Sequence, residues 1–338
     1  MRKVRIAQIG INQYSHGYDI FETLRALSDV FDIAGYALVE DEREVCRDKL
    51  GIFDGFRELT LAEILTDPTI EAVTVETDEV HLAKYAHMAA EAGKHVHMEK
   101  PGSPDAAAFD ALTRTFEASG AVFHLGYMYR YHPFIADAVE RAACGSLGDI
   151  FAVEAQMSRR DGEIVRRWLA ELPGGMMYYL GCHLLDIVLR AQGMPERILP
   201  LSRPTEEGFG DDYGMAALVY KNGVSFIKAC GVECGGGERR QLVINGRRGS
   251  IEIRPLEIRL PGEGYLFCSE KTETLSGTPR RAFRSEPFDR YIPMMRAFAE
   301  MVRGERTNPY TPAYERILHH TLLACCGVHE YKKCEGLR

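Results

Sequence analysis

His95-Val96-His97-Met98-Glu99-Lys100-Pro101-Gly102 reads as a short strand that runs into an acid, a cation and a proline. The alternation lasts to Met98, and Pro101, whose ring fixes φ and whose nitrogen carries no hydrogen, then turns the backbone. Two charged side chains are thereby delivered to the carboxyl end of a strand, the edge at which open parallel sheets bind ligands. Adjacent strand residues point to opposite faces, so a salt bridge between Glu99 and Lys100 is not expected and Lys100 is read as functional. His95, His97 and Glu99 share a face by the same period of two. A metal is one reading of that face, but no other ligand cluster has the spacing to join it, so we expect two structural histidines and no metal.

Working back from this strand, Val4 to Ile9 is an apolar run closed by Gly10, with helical spacing after it at Ile20, Leu24 and Leu27. The turn between them, Gly10 to Gly17, is where a dinucleotide-binding loop belongs. Gly10 takes the tight-turn position, Asn12 stands where a second glycine would let the backbone approach a pyrophosphate, and Ser15 stands at the third. Asn tolerates left-handed angles and Ser is small, so the amides can still face a phosphate; an ordinary strand-to-helix turn fits the same residues. Ile33 to Val39 is the second strand and ends in Glu40-Asp41-Glu42. An acid there grips the ribose hydroxyls of NAD, and three in a row repel the extra phosphate of NADP, so Glu40 is assigned to the ribose; acids also suit a helix N-terminus.

The alternation continues. Thr60 and Glu63 form a capping box, and Ala72 to Val75 is a buried strand leading to Glu76-Thr77-Asp78. Val80 to Ala92 is a helix stopped by Gly93. Ser103-Pro104-Asp105 caps the next helix with proline at its first position, that helix ends near Gly120, and Val122 to Gly126 is a further strand. Strands and helices joined by short connections imply a parallel sheet covered on both faces.

The 338 residues exceed what one core sustains, which favours two domains. The net charge of −8 and the absence of a long Lys/Arg run argue against a nucleic-acid groove or a polybasic membrane face. Met1 to Ile6 interleaves charge with apolar residues and reads as a first strand, not a signal peptide; no stretch is long enough to span a bilayer. Nine cysteines, from Cys46 to Cys334 without a Cys-x-x-Cys pair, fit reduced thiols and a cytoplasmic protein.

In the second half, Pro133 to Arg141 is a helix ended by Gly145, and Ile150 to Met157 is a strand. The single tryptophan, Trp168, reads as core or interface and precedes Pro173-Gly174-Gly175, where the backbone can approach a ligand. Met176 to Leu189 is a helix with Tyr179, His183 and Asp186 near one face. Lys221-Asn222-Gly223 joins two strands as a hairpin, and Gln241 to Asn245 pairs with Ser250 to Arg254. Such an antiparallel sheet covers one face with helices and leaves the other for a second subunit, so a homodimer or homotetramer is expected. Pro261 to Pro287 is polar and without clear pattern. Two helices, near Tyr291 to Arg303 and Pro312 to Glu330, finish the chain.

Four features together resemble the Gfo/Idh/MocA family, the relatives of glucose-fructose oxidoreductase and inositol dehydrogenase. They are Glu99-Lys100-Pro101, the run Gly126 to Pro133, Gly174-Gly175 followed by Gly181-Cys182-His183-Leu184-Leu185-Asp186, and Arg239 to Gly249 leading into a strand. The resemblance implies a Rossmann doubly wound parallel sheet over residues 1–126. Residues 127–338 would be an α/β substrate and oligomerisation domain with a large, mainly antiparallel open sheet. It also implies a nicotinamide cofactor, a sugar, cyclitol or related polyol as substrate, and a Lys-Pro bond that is often cis. Carried over by position, Lys100 faces the reacting carbon and His183 is the acid or base. Tyr179 replaces an aspartate four residues before that histidine, and Asp78 replaces a proline. We assign Lys100, His183 and Tyr179 to catalysis and Gly10, Asn12, Ser15, Glu40, Thr77, His81, Glu99, Lys100 and Arg130 to the cofactor, with NAD preferred. Two alternatives stand: a silent NAD- or sugar-binding regulator, suggested by the degenerate loop and Tyr179, and another enzyme such as a methyltransferase, which leaves the Glu-Lys-Pro and Gly-Cys-His motifs unexplained.

Overall fold

Four consecutive apolar or β-branched residues, Ala72 to Val75, are all buried, which requires cover on both faces of the sheet they enter. The structure, a computed structural model, describes residues 2–260 and 266–333; Met1, residues 261–265 of the polar stretch, and Cys334 lie outside the described residues. The chain divides into two compact units, Met1–Tyr127 with Tyr291–Arg316, and Met128–Arg290 with Ile317–Arg338. A division drawn at 126/127 therefore needs amending, because residues 291–316 return to the first unit. Phe298 of that return stacks on His124, with ring centroids 5.4 Å apart, and seals the sheet beneath it.

The first unit holds a five-stranded parallel sheet in the order β2-β1-β3-β4-β5, made of β1 (Val4–Ile9), β2 (Phe31–Ala37), β3 (Ala72–Val75), β4 (His95–Met98) and β5 (Phe123–Leu125). The order reverses between β1 and β3, which fixes where a crevice opens at the strands' carboxyl ends. Helix α1 (Gly17–Ala26) follows β1, and α2 (Glu42–Val45) is a single turn after β2. Helix α3 (Leu61–Thr66) starts at the expected Thr60/Glu63 capping box. Helix α4 (Leu82–Glu91) has His81 as its N-cap residue, and α5 (Ala106–Ser119) ends at Gly120 in the left-handed region. Asp105, not Ser103, caps α5, so Pro104 lies ahead of the cap; its missing N–H still falls outside the helix ladder.

The second unit begins with a short turn at Met128–Tyr131 and helix α6 (Pro133–Ala143), then β6 (Ile150–Ser158) and α7 (Glu163–Trp168). A π-helical turn, Met177–Gly181, leads into α8 (Cys182–Gln192). Strands β7 (Arg197–Pro200), β8 (Tyr213–Tyr220), β9 (Gly223–Cys230), β10 (Gln241–Gly246) and β11 (Gly249–Ile253) follow. With β12 (Ile258–Arg259), β13 (Leu266–Cys268), β14 (Glu270–Leu275), β15 (Arg281–Arg284) and β16 (Phe288–Asp289) they build two sheets. The larger has eight strands ordered β15-β14-β11-β10-β6-β9-β8-β7, antiparallel except for the β6–β9 pair. The expected hairpin at Asn222 joins β8 to β9, with Tyr220 opposite Gly223.

Candidate active site

Gln8 ties down both ends of the turn after β1. Its side-chain amide donates to the carbonyls of Gly10 and Gly17, at 3.0 and 3.1 Å, while Thr74 Oγ1 donates to its oxygen. Gly10 has φ +83, and a Cβ there would lie 2.7 Å from Thr77 Cβ and 2.8 Å from Glu42 Oε1. The place given to Ser15 as third glycine is filled by Gly17, where a Cβ would stand 3.0 Å from Glu76 Cβ, so Gly17 is what lets α1 approach β3. Ser15 Oγ instead accepts the Gly17 N–H at 3.4 Å. Asn12 is buried: it accepts from Tyr14 N at 2.8 Å and donates to Glu79 Oε2 at 2.9 Å and to the Thr77 carbonyl at 3.4 Å. Lys49 Nζ donates to the carbonyls of Asn12 and Gln13 and brings a cation to this turn. A cradle that a Cβ would fill, a ten-residue helix behind it and a nearby cation suit a dinucleotide diphosphate.

Glu40 stands three residues beyond β2 with φ +49, an unusual backbone for a residue with a side chain. Its Oε1 accepts from Lys84 Nζ and from Tyr85 OH, both at 2.7 Å, and those bonds hold the carboxyl down to about 2. His81 Nε2 lies 3.8 Å from the same oxygen. The three-acid run does not act as a block. Glu42 turns inward, is buried, and accepts from Val39 N at 2.8 Å; burial pushes its carboxyl up to about 7.

At the end of β4 the Lys100–Pro101 bond is cis, and Lys100 is 1% exposed. Its Nζ lies 3.3 Å from Glu99 Oε1, a pairing the strand alternation spoke against; β4 ends at Met98, and the alternation ends with it. The sequence reading missed the buried acids around this edge. Burial, and then the Glu99 charge, raise Glu76 well above the carboxylate range, and burial pushes Glu79 up to about 8. Beneath them His97 Nδ1 and His124 Nδ1 share a hydrogen bond of 2.7 Å, one donating and one accepting, and burial holds His97 down to about 3. His95 Nδ1 accepts from Val122 N, so both strand histidines have structural partners.

In the second unit His183 sits in the first turn of α8, buried, with the Tyr129 ring edge-on at 5.5 Å. Tyr129 OH donates to Glu257 Oε2 at 3.0 Å. Burial opposes ionisation of Glu257, but Arg290, bonded to both its oxygens at 2.8 and 2.6 Å, holds it below the usual range. Tyr179 lies in the π-helical turn, which changes its angular offset from His183, and its ring meets Trp168 edge-on at 5.1 Å. Arg130, assigned to the cofactor, belongs to this unit. Its Nη2 reaches Asp186 Oδ1 at 2.8 Å and its Nε reaches both carboxylate oxygens at 3.2 Å, one turn of α8 beyond His183.

Residues 4–127 match the oxidoreductase family with an NAD-binding Rossmann fold, and residues 135–252 match the GFO/IDH/MocA C-terminal domain. Over 202 residues the chain is 31% identical to the scyllo-inositol 2-dehydrogenase (NADP(+)) of Bacillus subtilis, an alignment covering 58% of this chain and 55% of that one. It is 26% identical over 252 residues to the scyllo-inositol 2-dehydrogenase (NAD(+)) of the same organism, covering 72% of this chain and 71% of that one. The aldose-aldose oxidoreductase of Caulobacter crescentus, solved with glycerol, superposes with a TM-score of 0.77 at 17% identity, covering 97% of this chain and 98% of that one. At that identity the likeness is one of fold.

Proposed function

The chain belongs to the Gfo/Idh/MocA oxidoreductase family, and from that premise we propose that it interconverts a secondary alcohol and a ketone of a sugar, cyclitol or related polyol. The observation that carries this reading is a buried lysine at the carboxyl edge of a parallel sheet, beside a loop that fits a dinucleotide. The nicotinamide, when bound, supplies hydride acceptance or donation. Glu40 would accept hydrogen bonds from the ribose hydroxyls, and the amides of the Gly10–Gly17 turn would face the diphosphate. We assign NAD(H) as the preferred cofactor on the charge of Glu40 and Asp41.

Lys100 would donate to the substrate oxygen and stabilise the negative charge that grows there, while His183 takes the hydroxyl proton or returns it in the reverse direction. A phenol cannot supply the negative charge of an aspartate, so Tyr179 would hydrogen-bond the substrate or His183 instead of raising the basicity of the imidazole. The open face of the eight-stranded sheet is the surface we propose for a homodimer or homotetramer, and the cytoplasm is the proposed location. One observation favours a binding protein without turnover: Asn12 fills a position where a glycine would give a cofactor more room. NADH fluorescence titration followed by a sugar and polyol panel decides between them. Turnover that disappears in Lys100→Met and His183→Ala supports the dehydrogenase, and NADH binding without turnover of any panel member supports the regulator.

A further inference from the structure

Glu40 is an acid whose surroundings do not suit simple exclusion of a phosphate. Lys84 Nζ and Tyr85 OH both bond its Oε1, and the His81 imidazole lies within 3.8 Å of it. Tyr85 is buried and fixes the carboxylate from one side, whereas the Lys84 side chain, which also donates to Tyr85 OH at 3.2 Å, is 54% exposed, so its ammonium is open to an incoming anion. An ion pair that exposed adds little to folding, so its geometry is poorly explained by stability alone. Glu42 has withdrawn into the interior, which leaves Asp41 as the exposed neighbour of Glu40 in the three-acid run.

We infer that Lys84 is a specificity-determining residue that offsets the Glu40 charge and admits the 2′-phosphate of NADP(H), so that the protein binds both cofactors with a modest preference. The inference rests on the dinucleotide reading given above. With NAD(H), Lys84 stays on Glu40 Oε1 and the ribose hydroxyls meet the carboxylate. With NADP(H), the ammonium pairs the phosphate, and the His81 ring adds a second donor from the start of the same helix. The cation thus acts on the phosphorylated cofactor and hardly on the other.

Fluorescence titrations of NADH and NADPH against the unmodified chain, Lys84→Gln, Lys84→Arg and Glu40→Gln test this, each at low and high salt. Lys84→Gln should weaken NADPH roughly tenfold or more while moving NADH less than about threefold. Lys84→Arg should retain NADPH binding, and Glu40→Gln should tighten it. The NADPH affinity of the unmodified chain should fall more steeply with salt than that of Lys84→Gln. An unchanged NADPH/NADH ratio in Lys84→Gln, or equal weakening of both cofactors, overturns the inference and leaves the dinucleotide reading standing. An unmodified chain that binds neither cofactor overturns both.

Discussion

Replacing Arg130 with methionine removes one side of a buried ion pair and keeps most of the side-chain volume. The guanidinium and the Asp186 carboxylate are 1% and 2% exposed, joined by contacts of 2.8–3.2 Å. Stranding a buried charge in this way costs roughly 3–5 kcal/mol. Arg190 Nη1, 3.5 Å from Asp186 Oδ2 and itself mostly buried, moves the expectation toward the lower figure. A loss of about 3 kcal/mol lowers a unit of this size by roughly 6–12 °C. Trp168 is the one tryptophan and lies in the same unit, so its fluorescence reports that unit's melting directly. Asp186→Asn should cost a similar amount, and the double variant Arg130→Met/Asp186→Leu should recover most of the loss, because both charges then leave together. If Arg130 instead holds the cofactor, Arg130→Met will weaken NADH binding at an unchanged melting temperature. A midpoint within about 2 °C of the unmodified chain refutes the reasoning from buried charge.

Three further outcomes are expected. Glu79, pushed up to about 8 from 4.5 by burial, with Asp78 and Glu99 adding to the shift and Lys100 opposing it, keeps a proton that the unfolded chain releases. Its contribution to stability is therefore complete below about pH 4.5 and drains away as pH rises toward 8; calorimetry should find Glu79→Gln more stabilising at pH 8 than at pH 5, and an equal effect at both would contradict the burial argument. Gly10→Ala combines a left-handed backbone with a Cβ 2.7 Å from Thr77 Cβ and should cost roughly 1–3 kcal/mol, together with weaker NADH binding in the same titration. On any substrate the panel yields, Tyr179→Phe should lower kcat less than Lys100→Met or His183→Ala; unaltered kinetics would make Tyr179 a packing partner of Trp168, and full activity in His183→Ala would remove the proposed acid/base group.

The parallel sheet was legible because each of its strands is a local apolar run with its own punctuation, and the Asn222-Gly223 hairpin because its turn chemistry lies in neighbouring residues. Lys100 and Glu40 could be placed at the sheet's carboxyl edge for the same reason. What escaped depends on contacts distant in sequence. Glu42 reads as a solvated acid until the fold carries it behind Gly10, and Glu76 and Glu79 become buried only when the Gly10–Gly17 turn meets the chain leaving β3. The work of the third glycine fell on Gly17 because the loop is two residues longer than the spacing used to find it. A π-helical turn leaves no periodic mark over five residues, so the offset between Tyr179 and His183 could not be read from their spacing.

The return of residues 291–316 also bears on synthesis. A ribosome that has delivered Tyr127 has supplied every strand of the first sheet, yet the aromatic ring that covers His97 and His124 is still far from emerging. At ordinary translation rates that interval lasts on the order of ten seconds or more, during which a polar histidine pair waits on an open apolar face. The N-terminal unit should then reach full protease resistance late and in step with residue 298, and a nascent chain stalled before it is the natural client for a chaperone.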